Sequence, residues 1–150
     1  MNRKWYVLII VICLLIFGVG YFIYSQNNIS IGDVTYQIPE GYNVQETSTA
    51  YNLANGNNSI SLVKKTKNHD VQNVIKEYVK TKSKKNITIT ITSFDVNGVT
   101  IYKSNSDKEP LIAHYWYTND GVVYELITEN LNSNTDDLVI NLISNSKIKS

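Results

Sequence analysis

The sequence predicts an α+β domain, a mostly antiparallel β-sheet flanked by two helices, placed behind one N-terminal transmembrane helix. Three observations carry this. Residues 5–24 hold no charge, several later segments alternate apolar and polar residues with period two, and two segments switch to helical spacing. The chain has 150 residues, so about 125 remain beyond the apolar run, enough for one domain.

The apolar run reads WYVLIIVICLLIFGVGYFIY. Twenty helical residues span about 30 Å, the thickness of a bilayer's hydrocarbon core. Trp5 and Tyr6 stand at one end and Tyr21 and Tyr24 at the other, as interfacial belts require. Arg3 and Lys4 precede the run, and the next basic residue is Lys64. The positive-inside rule then gives a cytoplasmic stub at 1–4, a span at 5–24, and everything from about residue 25 outside the cell membrane. The rival reading is a cleaved signal peptide, whose apolar core is shorter and ends in small residues, unlike Tyr-Phe-Ile-Tyr here. Cys13 follows the bulky Ile12, which argues against lipidation, and Gly18 and Gly20 do not make a GxxxG pairing motif.

Residues 25–33 (SQNNISIGD) read as a short polar tether, and 34–150 as the extracytoplasmic domain. Strands are expected at 34–38 and 42–47, with Pro39-Glu40-Gly41 turning between them. Asn52–Asn58 reads as loop, turning at Asn55-Gly56, and 59–65 as a strand paired with the one before that loop. Val71, Val74, Ile75, Tyr78 and Val79 share one helical face over 69–83, with Asn68 or Asp70 as cap. Ile87, Ile89 and Ile91 then alternate with threonines, and the phase shift at Phe94 and Val96 predicts a bulge near Ser93. Asn97-Gly98 turns the chain into a strand at 99–103, followed by a polar loop at 105–110. Strands 111–118 and 122–128 form a hairpin across Asn119-Asp120-Gly121, apolar on both faces as a covered central pair would be. Thr135-Asp136-Asp137 opens a last helix with Leu138, Val139, Leu142 and Ile143 as its inner stripe, and 145–150 are expected to fray.

The opening strand running into Ile38-Pro39-Glu40-Gly41-Tyr42, the mid-chain helix, the Asn-Gly turn, the Tyr-rich hairpin and the short last helix resemble small exported PsbP-like α+β domains. The chain also looks like single-span surface proteins of archaea and Gram-positive bacteria. The likeness covers roughly residues 34–146 and implies a scaffold or assembly role without catalysis. It transfers no binding residue.

Composition narrows the chemistry. Fourteen Lys plus Arg stand against thirteen Asp plus Glu, a net charge of +1, which argues against a nucleic-acid partner. One Cys and two His give no metal cluster and no disulfide, and no nucleophile motif, EF-hand loop or phosphate loop occurs. No catalytic, metal or cofactor residue is therefore assigned. His69 reads as a solvated residue beside a helix start. His114 reads as a hydrogen-bonded strand histidine and is the better placed of the two for pH sensitivity, its partner not identifiable. Glu125, Glu129, Asp136 and Asp137 are scattered in sequence.

Two candidate contact surfaces stand out. Lys64, Lys65, Lys67, Lys76, Lys80, Lys84 and Lys85 crowd one stretch, while acids outnumber bases from about residue 105. Such a stretch is either a solvated helix face or a site for lipid headgroups, a surface polymer or an acidic partner. Tyr115, Trp116, Tyr117 and Tyr124 are either sheet core or a surface for protein or glycan contact. Sequons occur at Asn28, Asn57 and Asn86. The expectation is a membrane-anchored binding or assembly module that contacts lipid through 5–24 and an envelope protein or surface polymer through its domain. The alternatives are a structural helper subunit of a membrane complex and an enzyme with a surface-pocket site.

Overall fold

The computed structural model describes residues 3–65, 70–130, 132 and 134–148, with side chains undescribed at 3–8, 22–26, 147 and 148. The elements in order are α1 (Arg3–Gln26), β1 (Asn28–Ile31), β2 (Val34–Gln37), β3 (Asn43–Glu46), β4 (Ala50–Asn55), β5 (Asn58–Lys64), α2 (Val71–Ser83), β6 (Ile89–Val96), β7 (Val99–Ser106), β8 (Ile112–Asn119), β9 (Val122–Glu129), α3 (Thr135–Ser144) and β10 (Lys147–Ile148). Seven strands form one antiparallel sheet in the order β3-β4-β5-β9-β8-β7-β6, and β1-β2-β10 form a second, smaller one.

The apolar run is helical. Among the described residues no helix is long and apolar enough to cross a membrane; the described side chains of α1 are those of residues 9–21. These side chains are exposed, from Ile9 at 45% to Phe17 at 75%. Trp5, Tyr6 and Tyr24 lie outside the residues whose side chains are described.

The tether expected at 25–33 is corrected. Only Asn27 separates α1 from β1, and Ile29 and Ile31 of β1 are buried in the core. Four residues alternating Asn-Ile-Ser-Ile are a strand signal that the polar surroundings conceal. Gly32-Asp33 turns β1 into β2, with Ile31 opposite Val34. Gly32 has φ +61°, and a Cβ there would meet the Lys64 side chain at 2.8–2.9 Å. Lysine can swing away, so the backbone dominates the cost. Gly32→Ala is expected to cost about 1 kcal/mol, a fall of a few degrees in melting temperature by circular dichroism. Gly56→Ala, at φ +58° with open space around it, should cost about the same.

Two other loop expectations are replaced by strands. Residues 50–55 form β4, with Leu53 fully buried, and the turn falls at Gly56-Asn57. Asparagine-rich composition hid the alternation of Tyr51 and Leu53. As a result β5 pairs with β4 and β9, not with β3. At the other end Lys147–Ile148 pair with β2, so the tail does not simply fray there. β7 also runs three residues further than expected, to Ser106.

The bulge expected near Ser93 is absent. β6 and β7 pair without interruption from Ile89 opposite Ser106 to Val96 opposite Val99. The phase shift has another cause, which is that the large sheet is covered on both faces. Ile91 packs against α2, while Phe94 and Val96 pack into the opposite layer. In that layer Ile29, Ile31, Val34 and Tyr36 of the small sheet and Val139, Leu142 and Ile143 of α3 meet Leu53, Ile60, Leu62, Tyr115, Tyr117, Tyr124 and Leu126. On the first face Ile75 of α2 sits on Trp116 and Val123, flanked by Val71, Val74, Tyr78 and Val79. The hairpin β8–β9, apolar on both sides, lies within the sheet as expected.

Helix boundaries follow their caps. The Asp70 carboxylate accepts the Gln72 amide at 3.1 Å and starts α2. At α3, Asp136 in the first turn favours the helix dipole and accepts Lys103 Nζ at 2.7 and 2.8 Å. It also accepts the Tyr115 hydroxyl at 2.5 Å. Burial alone would raise the Asp136 pKa, but these partners outweigh it and hold the carboxyl below its ordinary value.

Candidate functional site

The turn at Asp120-Gly121 sets Asn119 opposite Val122, which brings Trp116 opposite Glu125 and His114 opposite Ile127. Trp116, His114 and Glu125 therefore share the α2 face. Val63 and Lys65, on β5 and just beyond it, share that face too.

Glu125 is the centre of this group, with its side chain 6% exposed. Its Oε1 accepts His114 Nδ1–H at 2.8 Å and Trp116 Nε1–H at 2.9 Å. Its Oε2 meets Lys65 Nζ at 2.6 Å. Desolvation is the largest influence on this carboxyl and pushes its pKa up. His114 and Lys65 together overcome it, so the net shift is downward. The residue is an ionised, buried acceptor with both oxygens engaged. Tyr78 of α2 closes over it, its ring 4.4 Å from His114 and 5.1 Å from Trp116. The buried Ser104 Oγ accepts the His114 amide at 2.9 Å. Lys82 pairs with Glu109 and stands 5.6 Å from the Tyr78 ring centre.

A cleft of about 770 Å³ opens beside this group, where α2 does not reach β4. Val63, Lys64 and Lys65 form one wall, Glu77, Tyr78 and Thr81 the other, and Ser48 and Thr49 the rim. Trp116 and Glu125 lie at its base. Among the described residues no three His, Cys, Asp or Glu side chains group as metal ligands.

The aromatic contact surface is corrected. Tyr115, Trp116 and Tyr124 are at most 1% exposed and Tyr117 is 2% exposed. They are sheet core, because the strands that carry them are central and covered on both sides. Tyr117 shares a hydrogen bond with Tyr36 of the small sheet, and burial raises both pKa values.

The lysines divide into two groups. Lys64 and Lys65 line the cleft, Lys65 as the partner of Glu125. Lys76, Lys80, Lys84 and Lys85 are exposed on α2 and the turn after it. Lys67 and His69 lie outside the described residues. Of the sequons, Asn57 and Asn86 are exposed in turns and Asn28 is half-buried in β1.

The partner of His114 was missed in the sequence although its signal was present. A two-residue Asp-Gly turn fixes the register, and the register fixes His114 and Glu125 on one face. Lys65 could not be paired this way, because β5 reaches β9 across about sixty residues of chain.

No protein-family model matches the sequence, and no curated protein matches it. Among solved structures, that of PsbP (CyanoP) from the cyanobacterium Synechocystis sp. PCC 6803 is similar at 10% identity and TM-score 0.55. The match covers 81% of this chain and 91% of that one. A protein of Bacteroides thetaiotaomicron matches at 10% identity and TM-score 0.40 over 79% of this chain, which spans 46% of that protein. The likeness to CyanoP shows a PsbP-like fold.

Proposed function

We propose that this PsbP-like domain is a non-catalytic binding or assembly module, held at the outer side of a cell membrane by residues 5–24. The observation that carries it is the junction, where an uncharged twenty-residue run lies within α1 and a single residue separates that helix from a strand with two buried isoleucines. A domain joined in this way stays within a short distance of its anchor and works on what lies beside it. The PsbP-like fold supports a scaffold role. Its buried acid, Glu125, and the half-exposed Asp136 have their oxygens engaged in ion pairs and hydrogen bonds that hold the fold, which supports binding over catalysis. The partner is an envelope protein or surface polymer.

Cross-linking in membranes tests this. The full chain and a version with residues 5–24 replaced by an unrelated apolar segment are compared, with adducts identified by mass spectrometry. The binding reading expects the same discrete adducts on the domain in both. Adducts lost with the native span would move the function to the helix and favour a helper subunit. No reproducible adduct on either would contradict both.

A further inference from the structure

The two edges of the large sheet are built differently. β3 is four residues long, carries Glu46, and follows Pro39 and Glu40. Short length, charge and nearby proline are the usual guards of an edge. β6 is eight residues long, ITITSFDV, with no proline and no bulge, and its one charge, Asp95, sits beside the turn, where its carboxylate accepts the Gly98 amide at 2.9 Å. Among the described residues it is the terminal strand and pairs with β7 alone. The turn at Asn97-Gly98 has positive φ at both positions (52° and 82°), the two-residue hairpin geometry. In that geometry the pair flanking the turn is hydrogen-bonded. Val96, Phe94, Thr92 and Thr90 therefore point their backbone groups at β7, and Asp95, Ser93, Ile91 and Ile89 point theirs outward.

The flank above this edge is basic. The inner face of α2 centres on Val71, Ile75, Tyr78 and Lys82, and its cleft side carries Val74, Glu77 and Thr81. At 100° per residue, Gln72, Lys76, Val79 and Ser83 fall on the other side, toward β6, and Lys80 follows Lys76 by a further 40°, on the outer face of the helix. The helix ends beside the start of β6, where the Ile87 amide bonds the Lys82 carbonyl and Lys84 and Lys85 are exposed.

We propose that β6 docks an extended segment of another protein as an eighth strand, with acidic side chains at alternate positions facing α2. Backbone pairing supplies the attachment and the lysine row supplies the selection. A second copy of this chain fits poorly. Antiparallel self-pairing has its two-fold axis normal to the sheet, which sets two α2 helices on the same face with the Lys76 side of each turned toward the other. The inference rests on the domain being a binding module and not on its anchoring.

The test uses the full chain in detergent micelles and a library of phage-displayed dodecapeptides. The expected result is enrichment of peptides with Asp or Glu at every second position. A labelled copy of the best one should lose about tenfold in affinity on Ser93→Pro, which removes an outward donor and leaves the β7 ladder whole. The double change K76E/K80E should weaken it by several-fold and favour a lysine-substituted peptide. The proposal is overturned by no enrichment, by enriched peptides without acidic alternation, by undiminished binding to Ser93→Pro, or by a chain dimer that Ser93→Pro dissociates. If Ser93→Pro lowers the melting temperature, the K76E/K80E result decides alone. Cross-linked partners on the domain alongside an empty library would end the β6 proposal and leave the binding function standing.

Discussion

Replacing Glu125 by alanine should lower the unfolding free energy by about 2–3 kcal/mol and flatten the acid limb of the stability curve. The loss arises from what remains. Trp116 Nε1–H would be buried without its acceptor, and His114, its side chain 14% exposed, would lose its Nδ1 partner. Lys65 is 36% exposed and can turn to water, which keeps the cost below that of breaking a fully enclosed ion pair. The pH dependence follows from the depressed Glu125 pKa. A carboxylate favoured in the folded state adds stability above the ordinary glutamate value of 4.5, and that stability is lost as pH falls through the lower folded value. Wild type should therefore weaken on acidification below about pH 4.5, and Glu125→Ala should weaken less steeply. Asp136, also depressed, keeps part of the slope in the variant. Urea unfolding at several pH values measures both effects. Equal slopes in the two proteins would mean that the Glu125 pairings contribute nothing.

Trp116→Ala should be the most damaging single change, at about 3–5 kcal/mol. The indole is fully buried and lies beneath Ile75 and Tyr78, with its N–H on Glu125. Its removal leaves a cavity between α2 and the sheet as well as an underused acceptor. A fall of about 10 °C or more in melting temperature is expected for a chain of this size. Trp116→Phe, which keeps the ring volume largely filled, should recover more than half of the loss. Hydrogen exchange should show α2 amides opening first in the alanine variant.

Periodicity revealed those parts of the fold in which neighbours in sequence are neighbours in space. The α2 face, the β8–β9 hairpin and the α3 stripe all follow from local spacing. Strands made of asparagine and serine look like loop in the sequence, because Ile29, Ile31 and Leu53 are few among polar residues. The shift at Phe94 resembles a defect in one strand when only local alternation is considered, and it records a sheet with two covered faces. The candidate site was legible in its parts and not in its assembly. Glu125 and His114 are joined by a turn that could be read, and Lys65 by a pairing that could not. The aromatic residues carry no local mark that separates core from surface; only the central position of their strands decides it.

Topology labelling decides whether residues 5–24 hold the domain outside the membrane. With Cys13 replaced by alanine and Asn57, in the exposed β4–β5 turn, replaced by cysteine, intact cells are treated with a membrane-impermeant maleimide. A domain anchored outside the membrane by residues 5–24 gives full labelling of residue 57 before lysis and recovery of the labelled chain in the alkali-washed membrane pellet. Labelling only after lysis, or a labelled chain in the wash, would contradict that anchoring.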